Sequence, residues 1–296
     1  MKLLLLGGNG QVGRELRRSL APLGELVTST RDGGNADAVA DFNAPESLAA
    51  LITRIAPGVV VNAAAYTAVD KAETDVDAAF RINAEAPAVI ARACAASGAL
   101  LVHYSTDYVF DGSAIRPYRE DDATAPLGIY GASKLAGEDA IRASGARHAI
   151  LRTAWVYAAH GRNFLLTMLR LASEREELRV VADQIGAPTP ASWIADATAA
   201  LISHGVDQPG TWHLTAGGET SWHGFAEAIM DEARALGLIE HKPRVVAIPT
   251  SDYPTPAQRP AYSVLDTTRL RRDFSIVPPE WREGLQRTLD ELATSR

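Results

Sequence analysis

The sequence has a single cysteine, no excess of positive charge and no long apolar run, and each shortage closes off a class of protein. Cys94 stands alone among 296 residues, so no internal disulfide can form. It lies in the helical run Ala91-Arg92-Ala93-Cys94-Ala95-Ala96 and reads as a buried apolar thiol, which suits a reducing cytoplasm. Lys and Arg number 29 against 36 Asp and Glu, for a net charge of -7, and the cations are scattered. That balance leaves no basic footprint for nucleic acid. No stretch approaches the roughly 18 apolar residues of a membrane span. The opening Met1-Lys2-Leu3-Leu4-Leu5-Leu6 is too short for a signal peptide and passes straight into glycines without a small-residue cleavage site. The seven histidines show no metal-ligand spacing, and His103, on a buried strand, reads as a satisfied core side chain.

What is present is a rhythm of short apolar runs and longer helical patterns. Residues 2–6, 26–29, 59–62, 100–104 and 149–152 read as buried strands without polar alternation, as expected of a parallel sheet covered on both faces. Helix candidates at 12–20, 45–55, 78–96 and 133–143 lie between them, so the fold class is α/β, a doubly wound parallel (Rossmann) sheet. Beyond Thr153 the rhythm loosens: helical 164–172, a short strand 178–181, a loop 183–190, helical 194–203 and helical 225–236. Four prolines within 249–260 predict an irregular surface loop. The division expected is a dinucleotide-binding domain over 1–154 and a smaller, mainly substrate-binding lobe over 155–296, with about 194–214 returning to the main sheet.

Gly7, Gly10 and Gly13 follow the first strand. In a strand-to-helix turn the first permits a tight bend, the second lets backbone approach a pyrophosphate, and the third lets helix and strand pack closely. The backbone N–H groups of Gln11 and Val12 at the helix start would then face the anion. A glycine-rich turn without ligand has the same letters, and the position at the head of a βαβαβ chain favours the cofactor. Near the end of the second strand Ser29-Thr30-Arg31 offers hydroxyls and a cation, so Arg31 points to the 2′-phosphate of NADPH, with Asp32 leaving NADH open. Asp41 and Phe42 follow the third strand, where they can meet the adenine or else cap a helix and fill core.

Tyr130 and Lys134 are four apart and share one face of a helix. A phenol titrating near pH 10 is a poor acid or base at neutrality, and a neighbouring ammonium stabilises the phenolate. This pair follows the strand Leu100-Leu101-Val102-His103-Tyr104 and the hydroxyls Ser105-Thr106, at the sheet edge where α/β proteins bind ligands. Thr106 offers a further hydrogen bond to a carbonyl oxygen.

The segment 7–13, Asn62-Ala63-Ala64-Ala65-Tyr66-Thr67, Ser105-Thr106-Asp107-Tyr108-Val109-Phe110-Asp111-Gly112 and Tyr130-Gly131-Ala132-Ser133-Lys134 resemble the extended short-chain dehydrogenase/reductases. Arg152-Thr153-Ala154-Trp155-Val156-Tyr157, Asp183-Gln184-Ile185-Gly186-Ala187-Pro188-Thr189 and Arg259-Pro260 narrow the similarity to the dTDP-4-dehydrorhamnose reductases over nearly the whole chain. The resemblance implies NADPH-dependent reduction of a nucleotide-linked 4-keto sugar. It implies that Tyr130 donates the proton to the C4 oxygen, that Lys134 holds the nicotinamide ribose and tunes Tyr130, and that Thr106 bonds the same oxygen. Ala63, Ala64 and Ala65 would lie beneath the cofactor; Thr67, Asp107 and Trp155 would line the sugar site, the indole face covering the deoxysugar. Gln184 and Arg259 are candidates for the nucleotide, the guanidinium matching a diphosphate. Asn83 is placed to anchor a loop near Tyr130.

Some members of the family carry Mg2+ at a dimer interface. Glu15 occupies one acidic position, but Ser192 stands where another carboxylate is expected, so no metal site is assigned and a homodimer is left open. Other readings on the same scaffold are a nucleotide-sugar epimerase or dehydratase, or a non-catalytic dinucleotide-binding regulator. Dehydratases place Asp-Glu after the Thr, whereas here Asp107-Tyr108 follows.

Overall fold

The leucines of the first strand are all fully buried, and they alternate between two cores. In this computed structural model, which describes residues 1–294, Leu3 and Leu5 meet Leu16, Leu20 and Ile194 on one face. Leu4 and Leu6 meet Leu48, Ile52 and Ile90 on the other. A strand apolar at every position is thus what a sheet sandwiched between helix layers requires.

The sheet has seven strands in the spatial order Gly210–His213, His148–Thr153, Leu100–Thr106, Val59–Asn62, Lys2–Leu6, Glu25–Thr30, Ala38–Val39, all parallel. The five runs read from the sequence are there, several of them longer. Ala38–Val39 and Gly210–His213 add the two edges. The chain leaves Leu6 in one direction and returns to Val59 on the opposite side of the first strand, so the order reverses between Lys2–Leu6 and Val59–Asn62. A crevice at the carboxyl ends of the strands opens at such a reversal.

The expected long helix over 78–96 is interrupted. It runs as Val76–Phe80, a π-helical Arg81–Glu85 and Ala86–Ser97. Pro87 has no N–H to give Asn83, four residues before it, so that carbonyl loses its helical donor. The helix Ile129–Ala143 presses there, since a Cβ at Gly137 would fall 2.1 Å from the Asn83 carbonyl oxygen.

The C-terminal part has a separate core, in which Leu165 and Met168 of Phe164–Glu174, Phe225 and Ile229 of Trp222–Ala235, and Trp281 and Leu285 of Trp281–Thr294 pack together. The strand Glu177–Val181 pairs in parallel with Arg244–Ile248, which the sequence pattern did not mark. The helix Ala191–His204 belongs to the main sheet: its Ile194, Ala195 and Leu201 share a core with Leu16 and Leu20 of Gln11–Leu20. No helix among the described residues is long and apolar enough to cross a membrane.

Candidate active site

The first strand ends in a turn that only a small residue allows. Gly7 takes φ +83°, and a Cβ on it would lie 2.7 Å from the Ala64 nitrogen, so the phosphate loop and the Ala63-Ala64-Ala65 stretch touch backbone to backbone. At Gly13 a Cβ would fall 2.1 Å from the Gly7 oxygen, which makes this glycine the one that seats helix against loop. Gly10 differs: its Cβ would meet only the Gly7 oxygen, at the ordinary distance of 3.5 Å. The protein's own packing does not demand glycine there, and the bare backbone leaves that face open. Gly10 caps the helix Gln11–Leu20 without a side-chain hydrogen bond, so the first N–H groups, those of Gln11 and Val12 among them, keep their donor capacity for an anion. Arg17 steadies this loop, donating to the carbonyls of Gly8 at 2.7 Å and Asn35 at 2.6 Å; the sequence gives no sign of this, since an arginine on a helix carries no pattern of its own.

Beyond the second strand, Arg31 is exposed and has no hydrogen bond or ion pair among the described residues. Asp32 is engaged in its own turn, accepting from Thr30 Oγ1 and the Gly34 N–H, both at 3.1 Å. Those bonds hold its carboxyl below the usual range. Asp41 also closes a turn, accepting from the Asn43 N–H at 2.9 Å, and the Phe42 ring packs in the core with Leu4, Leu6 and Leu48. Phe42 is therefore core, packed between the sheet and the helix Glu46–Ile55 through Leu48, Leu51 and Ile52.

At the end of Leu100–Thr106, the Thr106 hydroxyl donates to Asp107 Oδ1 at 3.0 Å and accepts from the Tyr108 N–H at 3.2 Å. The Tyr130 ring stands edge-on to Tyr108, with centroids 5.6 Å apart. Burial pushes the Tyr130 phenol up to about 12, the Thr106 hydroxyl drawing it down and Asp107 raising it again. Asp107 is 2% exposed, its Oδ2 lacks a partner, and burial pushes its carboxyl up to about 6 against hydrogen bonds from Ser263 and Thr106. Thr106, Asp107 and Tyr130 therefore meet in one corner, the first two buried and Tyr130 half-buried.

Lys134 departs from the expected arrangement. Instead of turning to the phenol, its Nζ donates to the Tyr104 carbonyl at 2.6 Å and lies 3.3 Å from His103 Nε2. Burial pulls it down to about 8, with Glu138 raising it. The strand carbonyl claims the amine because Lys134 is 2% exposed and water cannot serve it there.

The helix holding these groups starts at Ile129, four residues earlier than the apolar pattern suggested, and puts Tyr130 in its first turn. No local side chain caps it. Glu73 does so from across the molecule, accepting from the Ile129 N–H at 2.9 Å. Asn83 fastens the neighbouring loop: it accepts from the Tyr66 N–H at 2.9 Å and donates to the Tyr66 carbonyl and to Ser133 Oγ, both at 3.0 Å. Thr67, next in that loop, is exposed.

A cleft of about 360 Å3 opens between Phe164–Glu174, Glu177–Val181 and the proline-rich loop. Its floor is apolar, from Phe164, Met168, Leu171 and Val180, and its rim holds Arg175, Arg179, Gln184 and Arg259. Gln184 donates to Thr250 Oγ1 at 3.0 Å. Arg259 is not a free fork: its two terminal nitrogens bond the two Asp70 oxygens at 2.9 and 2.8 Å, which fixes the loop after Thr67 against the cleft. Arg175, Arg179 and Tyr253 also line the cleft, and nothing in the sequence separates them from ordinary surface residues.

Trp155 has φ +48°, a left-handed conformation costly for so large a residue. Its indole is stacked on Trp222 with centroids 3.5 Å apart and planes 5° off parallel, and a Cβ at Gly186 would fall 2.5 Å from it. The face expected to cover a sugar is covered by Trp222, which itself lines the cleft.

Glu15 Oε1 lies 2.7 Å from His160 Nε2, and Ser192 lies in the first turn of Ala191–His204. Among the described residues no three His, Cys, Asp or Glu side chains cluster to hold a metal ion.

Known proteins match this chain in sequence and in fold. The family model described as RmlD substrate binding domain matches residues 1–294. The chain is 49% identical to a dTDP-4-dehydrorhamnose reductase of Shigella flexneri, covering 100% of this chain and 99% of the relative. It is 52% identical to one of Burkholderia thailandensis, covering 95% and 96%. A solved structure of dTDP-4-dehydrorhamnose reductase from Bacillus anthracis in complex with NADP superposes with TM-score 0.90 at 36% identity, over 98% of this chain and 99% of that one. Matched from end to end in sequence and in fold, the chain belongs to the RmlD substrate binding domain family, that of the dTDP-4-dehydrorhamnose reductases.

Proposed function

We propose that the protein is an NADPH-dependent oxidoreductase that reduces the 4-keto group of dTDP-4-dehydro-L-rhamnose to dTDP-L-rhamnose. The observation that supports it most is the convergence of Thr106, Asp107 and Tyr130 at the end of one strand, beside the crevice bounded by the Gly7 turn and Ala63-Ala64-Ala65. The bound dinucleotide supplies hydride to C4. The open face at Gly10 and the N–H groups of Gln11 and Val12 fit its pyrophosphate, and Arg31, unpaired where Asp32 is engaged, fits a 2′-phosphate.

Reduction leaves a developing negative charge on the carbonyl oxygen, which a protonated acid must meet. Tyr130 keeps its proton at neutral pH, so it is the donor, and the Thr106 hydroxyl, turned from Asp107, gives the same oxygen a second hydrogen bond. Lys134 holds the ribose from beneath. Asp107, Thr67 and the edge of the Trp155–Trp222 stack bound the sugar. The nucleotide lies in the cleft, the base on the apolar floor and the diphosphate toward the arginine rim, where Gln184 and Arg259 shape the wall. In this division of labour residues 1–154 bind the cofactor and most of the remainder binds substrate.

Assaying NADPH consumption with dTDP-4-dehydro-L-rhamnose tests the reading. One cofactor oxidised per sugar reduced supports it; product formed with no net consumption marks an epimerase or dehydratase, and neither change marks a regulator.

A further inference from the structure

His103 is 1% exposed, sits one layer beneath the proton donor and has no part in the reaction as described. Both ring nitrogens have partners: Nδ1 lies 3.1 Å from Asn62 Nδ2, and Nε2 lies 3.3 Å from Lys134 Nζ. The Asn62 amide cannot turn freely, because its Oδ1 accepts from the Ala64 N–H at 3.2 Å. Its NH2 therefore faces Nδ1, which must accept. A neutral imidazole that accepts at Nδ1 carries its hydrogen on Nε2 and points it at Lys134. An ammonium has no lone pair for that hydrogen, whereas an amine has one.

From this hydrogen-bond accounting we propose that His103, its tautomer fixed by Asn62, is a positioning residue that lowers the proton affinity of Lys134 and so sets the pH at which the site loses its cation. The proposal rests on the reductase reading, in which Lys134 holds the nicotinamide ribose, so that loss of its charge is read in turnover. Burial, with Lys134 second, keeps His103 itself neutral. The other groups bearing on Lys134 are the Tyr104 carbonyl from the same strand and Glu138 one turn along its own helix. Glu138 is tied to Arg152 through bonds of 2.9 and 2.7 Å and to Arg142, so its charge is largely spent elsewhere. The ring thus opposes the ammonium, and the wall it leans on, Asn62 to Ala64, is the one that meets the Gly7 turn of the phosphate loop.

Two measurements decide it. Nitrogen-15 NMR of the histidine rings in the wild-type protein should show His103 protonated at Nε2 and bare at Nδ1 from pH 6 to 8; the opposite tautomer or an imidazolium overturns the proposal. The alkaline limb of the kcat profile should lie near pH 8 in the wild type, where Lys134 titrates. In His103→Gln, whose amide oxygen can accept from an ammonium, it should move upward by about one pH unit. An unmoved limb, with NADPH affinity and melting temperature preserved, overturns the proposal. Should His103→Gln not fold, the tautomer of the wild-type ring alone upholds or overturns it. Absence of any reductase turnover in the wild type would strike the proposed function, while the tautomer would still be read by NMR.

Discussion

Glu73 Oε1 accepts a 2.9 Å hydrogen bond from the backbone N–H of Ile129, so the helix that presents Tyr130 is capped by a residue 56 positions away in the chain. A negative charge at a helix N-terminus satisfies an orphan donor and complements the dipole. It also fixes the first turn, in which Tyr130 lies.

Replacing that carboxylate separates stability from placement. Glu73→Ala should lower stability by about 1 kcal/mol, as lost caps do, and should lower kcat by several-fold. Glu73→Gln, which keeps an acceptor, should retain most of both. Thermal melts and steady-state rates on the same preparations check this, and equal kcat in the wild type and Glu73→Ala would remove Glu73 from the positioning of Tyr130.

Tyr130→Phe should bind NADPH as the wild type does, since the phosphate loop is untouched, and should lose roughly 10²–10⁴ of turnover, the usual worth of a positioned proton donor. The wild-type phenol is pushed up to about 12, so its ionisation should leave no limb in the rate profile below pH 10. Fluorescence titration of NADPH and kcat across pH 6 to 10 measure both.

Asp107 gives a pH dependence of stability with a definite sign. Burial raises its carboxyl from 3.8 to about 6, so the folded state binds the proton more tightly than the unfolded chain. The stabilising contribution is complete below pH 3.8 and is lost as pH rises through about 6. Asp107→Asn removes the ionisation, and at pH 7.5 it should be more stable than the wild type by up to about 3 kcal/mol while binding the sugar more weakly. Urea melts at pH 5 and 7.5 with KM for the sugar test it; a wild type whose deficit against Asp107→Asn does not grow between those pH values contradicts it.

Arg31 is the free cation beyond the second strand, and Asp32 is held in its turn. Arg31→Ala should cut kcat/KM for NADPH by about tenfold, the equivalent of one charge-assisted hydrogen bond of about 1.4 kcal/mol, and leave NADH nearly unchanged. An unaltered NADPH to NADH ratio would free Arg31 from cofactor choice.

The sheet and the glycine turn after its first strand were legible because their signals are local: unbroken apolar runs such as Leu3-Leu4-Leu5-Leu6, and glycines at positions where backbone approaches backbone. What the sequence hid depends on partners distant along the chain. The start of the Tyr130 helix lies earlier than its pattern suggests because its cap is Glu73, and the Asn83 side chain is held by Tyr66 and Ser133. Arg259 has the look of a free fork in sequence, but Asp70 stands opposite it, and the Trp155 face that suits a sugar is taken by Trp222. Lys134 shares a helix with Tyr130, yet its amine is drawn to the Tyr104 carbonyl, a choice made by burial and not by spacing. In each case an electrostatic or aromatic side chain took a tertiary partner that no periodicity encodes.

Hydride from the dinucleotide and a proton from Tyr130 should arrive at the two ends of one carbonyl. NADPH deuterated at the transferable position of its nicotinamide, incubated with the 4-keto sugar and the wild-type protein, tests this in one NMR spectrum of the product. Deuterium should appear at C4 of the deoxysugar, with incorporation per unit time falling by roughly 10²–10⁴ in Tyr130→Phe. Deuterium elsewhere on the ring, a product with none, or equal incorporation in Tyr130→Phe would contradict it.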